Sequence, residues 1–282
     1  MPVDAPVELG RQRLAAAGFD SVLDRTALRR RQRFAGTDAD RLAAFDRAAA
    51  HDAPIAMITR GGYGIMRLLP QLDCRRLARS GKRWVGFSDF TAFQFAMLAK
   101  ARAVTWAGPA LLDDFGRAED EITTGVFGEA MRGELEALAF RCAGPAGVDA
   151  EGTLWGGNLA VVCALLGTPY FPKVKGGILF LEDVGEHPYR IERMLITLLH
   201  AGVLDAQAAV LLGGFTRYTL VPGDAGYDMP AVLKWLRAQT RTPIVTGLPF
   251  AHGGIKFTLP HGARVGFATE GRTGWLVLPH AH

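Results

Sequence analysis

The chain has 282 residues, enough for one large domain or two smaller ones, each with its own core. Apolar residues make up 49% and charged residues 21%, the balance of an ordinary soluble globular protein. A formal net charge of only +4, with no aromatic interleaving and no zinc spacing, argues against a nucleic-acid partner.

Val7 to Ala17 has helical spacing and closes at Gly18, a suitable C-cap. Ser21-Val22-Leu23 reads as a short strand, and the arginines at 25, 29, 30, 31 and 33 read as a solvated helix face. Asp38 to Ala50 is an amphipathic helix with Thr37 or Asp38 as N-cap. Pro54 to Thr59 is a buried strand, followed by the loop Arg60-Gly61-Gly62-Tyr63-Gly64 and a helical turn from Ile65 to Leu69. Lys82 to Val85 forms another short strand, and Phe90 to Ala101 an apolar helix. Helices alternating with short apolar strands predict a doubly wound, mostly parallel sheet in the first part of the chain.

Gly86-Phe87-Ser88-Asp89 lies between that last strand and helix. A serine at a sharp strand-to-helix turn projects its hydroxyl beside the first free amides of the helix, which is the geometry acyl transfer needs. The same serine also suits a simple helix cap, and Phe90 stands where the familiar G-x-S-x-G elbow has its last glycine. The Arg60–Gly64 loop follows an apolar strand and opens a helical turn, so its amides suit half an oxyanion hole or a phosphate cradle. It matches neither G-x-G-x-x-G nor the P-loop.

From Leu112 to Ala150 the pattern is less regular: an acidic patch at Asp113, Asp114, Glu119, Asp120 and Glu121, a helix over Thr123 to Met131, and the loop-forming Ala143 to Gly147. The expected organisation is therefore an N-terminal domain over residues 1–115, a linking segment over 116–150 and a C-terminal mixed α/β domain over 151–282. In the last part, Leu159 to Leu166, Tyr189 to Ala201 and Pro230 to Thr240 read as helices. Gly177 to Leu181, Ala208 to Gly213 and Ile244-Val245 read as strands, and Phe257 to Leu278 as an antiparallel hairpin.

Two groups there could answer the serine. His252 lies in a glycine-flanked loop after a strand, where working groups are usually presented. His51 and His200 suit capping or packing, His187 precedes a proline in a loop, and His280 and His282 lie at the chain end. Glu182 follows four consecutive apolar residues, at the carboxyl end of a buried strand, and could hold the imidazole in its working tautomer. Asp183 and Glu186 are rivals in reach, Glu186 also suiting a salt bridge to Arg190 or Arg193.

Cys74, Cys142 and Cys163 are odd in number and lack CxxC spacing, which predicts free thiols rather than a disulfide framework or a structural zinc. No secretory signal is visible at Met1 to Pro6, and no apolar run reaches the roughly 20 residues of a membrane span. The expectation is a cytoplasmic protein without membrane contact.

Together these segments resemble the LD-carboxypeptidases, serine peptidases of bacterial peptidoglycan recycling. The matching stretches are Arg60–Gly64 with Arg67-Leu68-Leu69, Gly86-Phe87-Ser88-Asp89, Gly108-Pro109 and Gly156-Gly157-Asn158-Leu159. They continue through Leu179 to Asp183, Tyr189-Arg190, Arg193-Met194-Leu195, Gly253, Leu259-Pro260 and Gly262-Ala263, in the family's order over almost the whole chain. The resemblance implies a Ser-Glu-His triad of Ser88, Glu182 and His252, with the amides of Gly62 and Asp89 as the oxyanion hole. It implies an active site at the domain interface, a murein peptide substrate, no metal or organic cofactor, and a homodimer. It also implies an opening apolar strand before the first helix, which this sequence lacks, and a glycine where Ala251 stands. The activity it implies is release of terminal D-alanine from murein tetrapeptide. A relative giving immunity to a microcin C-type peptide-nucleotide is the alternative within the family, and a non-enzymatic phosphate-binding domain the alternative outside it.

Overall fold

The computed structural model describes residues 6–278. Two compact units divide the chain. The first holds the residues up to Glu134 with Gly167–Pro172 and Ile255–Pro260, and the second holds the rest. Residues 116–150 contain a helix and a strand, and the division falls inside them, after Glu134.

The first unit runs through α1 (Val7–Ala16), α2 (Asp38–Ala50), β1 (Ile55–Met57), α3 (Cys74–Arg79), β2 (Arg83–Gly86), α4 (Thr91–Ala101), β3 (Thr105–Ala107) and α5 (Glu121–Arg132). Its four-stranded sheet has the order β1, β2, β3 and then the late strand Leu259–His261. β1 to β3 pair in parallel, as the alternating pattern predicts. Thr37 closes the start of α2 with a reciprocal capping box: its hydroxyl accepts from Asp40 N–H at 3.0 Å, and the Asp40 carboxylate accepts from Thr37 N–H at 2.9 Å. The core is aromatic. Phe93 of α4 stacks on Phe45 of α2 at 5.0 Å between centroids and meets Trp84 of β2 at 5.4 Å.

Two readings of the sequence need correction here. Ser21-Val22-Leu23 is not a strand: Val22 is exposed, and the Ser21 carbonyl accepts from the Arg11 guanidinium instead of a neighbouring strand. The arginines from 25 to 33 do not form a helix face either. They lie in two short turns and the irregular chain between them, with an isolated bridge between Arg31 and Phe34, and with Asp24 accepting from Thr26 and Arg47.

Asp114 also leaves the acidic surface patch it seemed to join in the sequence. It lies in a buried wide turn, Leu111–Arg117, and its carboxylate accepts from the ammonium of Lys256 at 2.6 Å. Lys256 has no exposed surface, and its Nζ stands 3.4 Å from the centroid of the Phe87 ring, the residue just before Ser88. Removing one partner of a buried pair leaves the other charged and unsolvated, so Lys256→Met is expected to cost about 3–5 kcal/mol. Adding Asp114→Asn to it removes the stranded charge and should recover at least half of that loss, read from denaturant midpoints. An equal loss in the single and double variants would show that the pair's charges do not matter.

The second unit runs through β4 (Ala137–Arg141), β5 (Asp149–Asn158), α6 (Leu159–Leu165), β6 (Ile178–Val184), α7 (Pro188–His200), β7 (Ala209–Thr216), α8 (Met229–Gln239) and β8 (Ile244–Thr246). The late strand already placed in the first sheet is β9, and β10 (Arg264–Glu270) and β11 (Thr273–Val277) follow it. One seven-stranded sheet takes the order β4-β11-β10-β5-β6-β7-β8. β10 and β11 form the expected antiparallel hairpin. β5 joins two regimes: its first half pairs antiparallel with β10, and its second half pairs parallel with β6. Ile178 to Leu181 have no exposed surface, so β6 reads as a continuous apolar run before it delivers Glu182 and Asp183.

The three cysteines are free thiols. No described helix is long and apolar enough to cross a membrane.

Candidate active site

Ser88, Gly62 and Asp89 belong to the first unit, and Glu182 and His252 to the second. At the serine, β2 ends on Gly86, Phe87 is extended, and Ser88, with a φ of +62°, opens a single 3₁₀ turn, Ser88–Phe90, that runs into α4. An L-residue with a side chain rarely occupies that conformation, which costs about 1–3 kcal/mol. The cap reading of the serine is not what the structure shows. Ser88 stands in the left-handed region at the corner itself, and neither that 3₁₀ turn nor α4 has a side-chain cap.

The glycine loop packs directly on this corner. A Cβ at Gly61 would come within 2.7 Å of the Ser88 Cβ and 3.1 Å of its Oγ, so only glycine fits there. Asp89 holds the loop in place. Its buried carboxylate accepts from the amides of Ile65, at 2.8 Å, and Gly64. Burial raises the Asp89 pKa, and those two amides work against the rise. A carboxylate already fills the anion position at Gly64 and Ile65, which argues against a phosphate cradle there. This latch was missed in the sequence, where only the Asp89 amide was considered.

In the second unit the structure brings Glu182 and His252 together. His252 Nδ1 lies 2.7 Å from Glu182 Oε2, and Glu182 has no exposed surface. Asn158, at the end of β5 beside Glu182 in register, donates its amide to Glu182 Oε1 at 3.3 Å and to Asp183 Oδ1 at 2.9 Å. The rivals are engaged elsewhere. Asp183 accepts from the amides of Ala160, at the start of α6, and Val184, and burial raises its pKa. Glu186 pairs with Arg190 at 3.6 Å, the salt-bridge role its position also allowed.

A bulge aims these groups. Between Leu181 and Asp183 of β6 there is one residue, Glu182, but β7 places two, Gly213 and Gly214, opposite it. The 250–252 loop crosses β7 at this point: Gly214 N–H donates to the Phe250 carbonyl at 3.0 Å, and the Thr216 hydroxyl to the His252 carbonyl at 3.1 Å. A Cβ at Gly213 would fall 2.2 Å from the Phe250 oxygen and 3.4 Å from the Glu182 Cβ. Gly213→Ala must therefore lift the loop off Glu182. A displacement near 1 Å can cost about 10²-fold in rate, which is the loss expected for this variant with its circular dichroism unchanged. Activity within twofold of wild type would show that the crossing does not set the His252 position. Nothing in the sequence marked Gly213-Gly214 as part of a site, since Gly213 read as the plain end of a strand.

Among the remaining histidines, His187 stands at the N-cap position of α7 and its ring pairs with Asp224 at 3.1 Å. His261 is wholly buried, and burial pushes its pKa down to about 3, so it packs as a neutral ring against Phe180. His280 and His282 lie outside the described residues.

Comparison with known proteins identifies the family. Residues 2–108 match the model of the LD-carboxypeptidase N-terminal domain, and residues 151–267 that of the LD-carboxypeptidase C-terminal domain. The chain is 31% identical to the murein tetrapeptide carboxypeptidase of Pseudomonas aeruginosa over 89% of its own length and 84% of that protein's. It is 27% identical to the microcin C7 self-immunity protein of Escherichia coli, covering 76% of this chain and 71% of that one. The crystal structure of muramoyltetrapeptide carboxypeptidase from Oxalobacter formigenes superposes with a TM-score of 0.90 and 40% identity, covering 99% of this chain and 96% of that one. The fold and its matches define a serine-type carboxypeptidase. The chain belongs to the LD-carboxypeptidase family.

Proposed function

We propose that this enzyme hydrolyses the bond between an L-centre and a terminal D-residue, releasing D-alanine from murein tetrapeptide during peptidoglycan recycling in the cytoplasm, as a homodimer. The observation that carries the reading is the buried Glu182 carboxylate 2.7 Å from His252 Nδ1. In this reading the carboxylate accepts from Nδ1–H, which leaves Nε2 as the basic nitrogen.

In this reading Ser88 is the nucleophile. His252 Nε2 takes the Ser88 proton as the oxygen attacks the scissile carbonyl, and the amides of Gly62 and Asp89 receive the oxyanion. The imidazolium then gives its proton to the departing D-alanine nitrogen, leaving an acyl-enzyme on Ser88. Water, deprotonated by His252, hydrolyses the ester and restores the serine. No step calls on a metal or organic cofactor.

The test is incubation with murein tetrapeptide, following free D-alanine by mass spectrometry, with an aminoacyl sulfamoyl adenosine as a second substrate. D-alanine release from the tetrapeptide supports the reading. Cleavage of the adenosine compound alone would replace it with the immunity reading, and cleavage of neither would sink it. The 40% identity to the Oxalobacter formigenes muramoyltetrapeptide carboxypeptidase favours the first outcome.

A further inference from the structure

A carboxypeptidase has to recognise a free carboxylate, and the chemistry restricts where that group lies. The departing residue leaves through its nitrogen, which takes the proton from the general acid. A single α-carbon separates that nitrogen from the terminal carboxylate. The cation that reads the carboxylate therefore belongs beside the histidine.

Arg217 stands there. It directly follows Thr216, whose hydroxyl donates to the His252 carbonyl at 3.1 Å. A Cβ at Gly253, the residue after His252, would lie 3.7 Å from Arg217 Nη2. The guanidinium thus lies beside the loop that carries the histidine. Its backbone has a φ of +60°, a strained conformation for a residue with a long side chain, and such strain persists where the surroundings demand it. Arg217 is exposed, and no carboxylate pairs with it among the described residues. Three other arginines of this unit are engaged: Arg190 by Glu186 and the Tyr189 hydroxyl, Arg237 by the carbonyls of Ala143 and Ile244, and Arg264 by Glu151.

We infer that Arg217 binds the terminal α-carboxylate of the substrate and so makes the enzyme a carboxypeptidase rather than an endopeptidase. The inference rests on the L,D-peptide reading above. A guanidinium meets a carboxylate through two parallel N–H···O bonds, which an ammonium does not reproduce.

The test compares murein tetrapeptide with the same peptide carrying a C-terminal amide, in wild type, Arg217→Ala and Arg217→Lys. Wild type is expected to prefer the free acid in kcat/KM by about 10²-fold or more, the discrimination a site built for a charged group achieves. Arg217→Ala should lose about 10²-fold on the acid while staying within about threefold of wild type on the amide. Arg217→Lys should recover part of the preference. Equal losses on both peptides, or a preference unchanged in Arg217→Ala, would overturn the assignment while leaving the L,D-peptide reading intact. Failure of wild type to cleave either peptide overturns both.

Discussion

Ser88→Ala is expected to lower D-alanine release from murein tetrapeptide by about 10⁶-fold, the scale on which removal of a triad serine acts. The fold should not notice. Ser88 sits at φ +62°, and serine and alanine both carry the Cβ that makes this conformation costly, so the strain is the same in either. The neighbour that matters is Gly61, whose missing side chain leaves room for the Ser88 Cβ as well as for its Oγ. A second variant separates strain from chemistry. Ser88→Gly removes the Cβ altogether, and is expected to be as inactive as alanine yet more stable than wild type by about 1 kcal/mol. Measuring kcat and the unfolding midpoint of both decides the matter. An alanine variant that keeps more than a hundredth of wild-type turnover would exclude Ser88 as the nucleophile.

That strain also shows what was legible in the amino-acid pattern and what was not. The strand-serine-helix order of Gly86 to Asp89 was readable because short apolar strands and helix periodicity are local signals. The same holds for α2 with its Thr37 cap, for β6 and for the hairpin of β10 and β11. The rival carboxylates at 182, 183 and 186 were not separable from spacing. What separates them is three-dimensional: Asn158 and the first turn of α6 engage Asp183, while Arg190 draws Glu186 away. The Gly213-Gly214 bulge and the Asp89 latch were equally silent, since each depends on a chain segment distant in sequence crossing at close range. Lys256 is the sharpest case. A lone lysine between isoleucine and phenylalanine gives no hint that its charge is buried against Asp114, more than a hundred residues earlier.

Glu182→Gln is expected to reduce turnover about 10⁴-fold, the loss that follows when a triad histidine is held in the wrong tautomer. Here the structure gives the reason in advance. Asn158 Nδ2 donates to Glu182 Oε1, so a glutamine at this position will keep its carbonyl oxygen on that side. Its NH₂ then takes the place of Oε2 and points a donor at His252 Nδ1. The imidazole answers by carrying its proton on Nε2, where it has no lone pair left to accept from the serine hydroxyl. Shape and packing are preserved, because the two side chains differ by one atom type and Glu182 has no exposed surface. The buried charge is lost as well, so stability should change little. Two measurements check this: kcat on murein tetrapeptide, and the ¹⁵N chemical shifts of the His252 ring, which distinguish the tautomers. The predicted pair is a large loss of kcat with the ring proton moved from Nδ1 to Nε2. Releasing Asn158 from its role, by Asn158→Ala in the glutamine background, lets the carboxamide rotate and turn its oxygen toward Nδ1. Partial return of the Nδ1–H tautomer and of activity in that double variant would identify Asn158 as the residue that orients the site. No change in tautomer in Glu182→Gln would mean that His252 is held by something other than the bond at 2.7 Å.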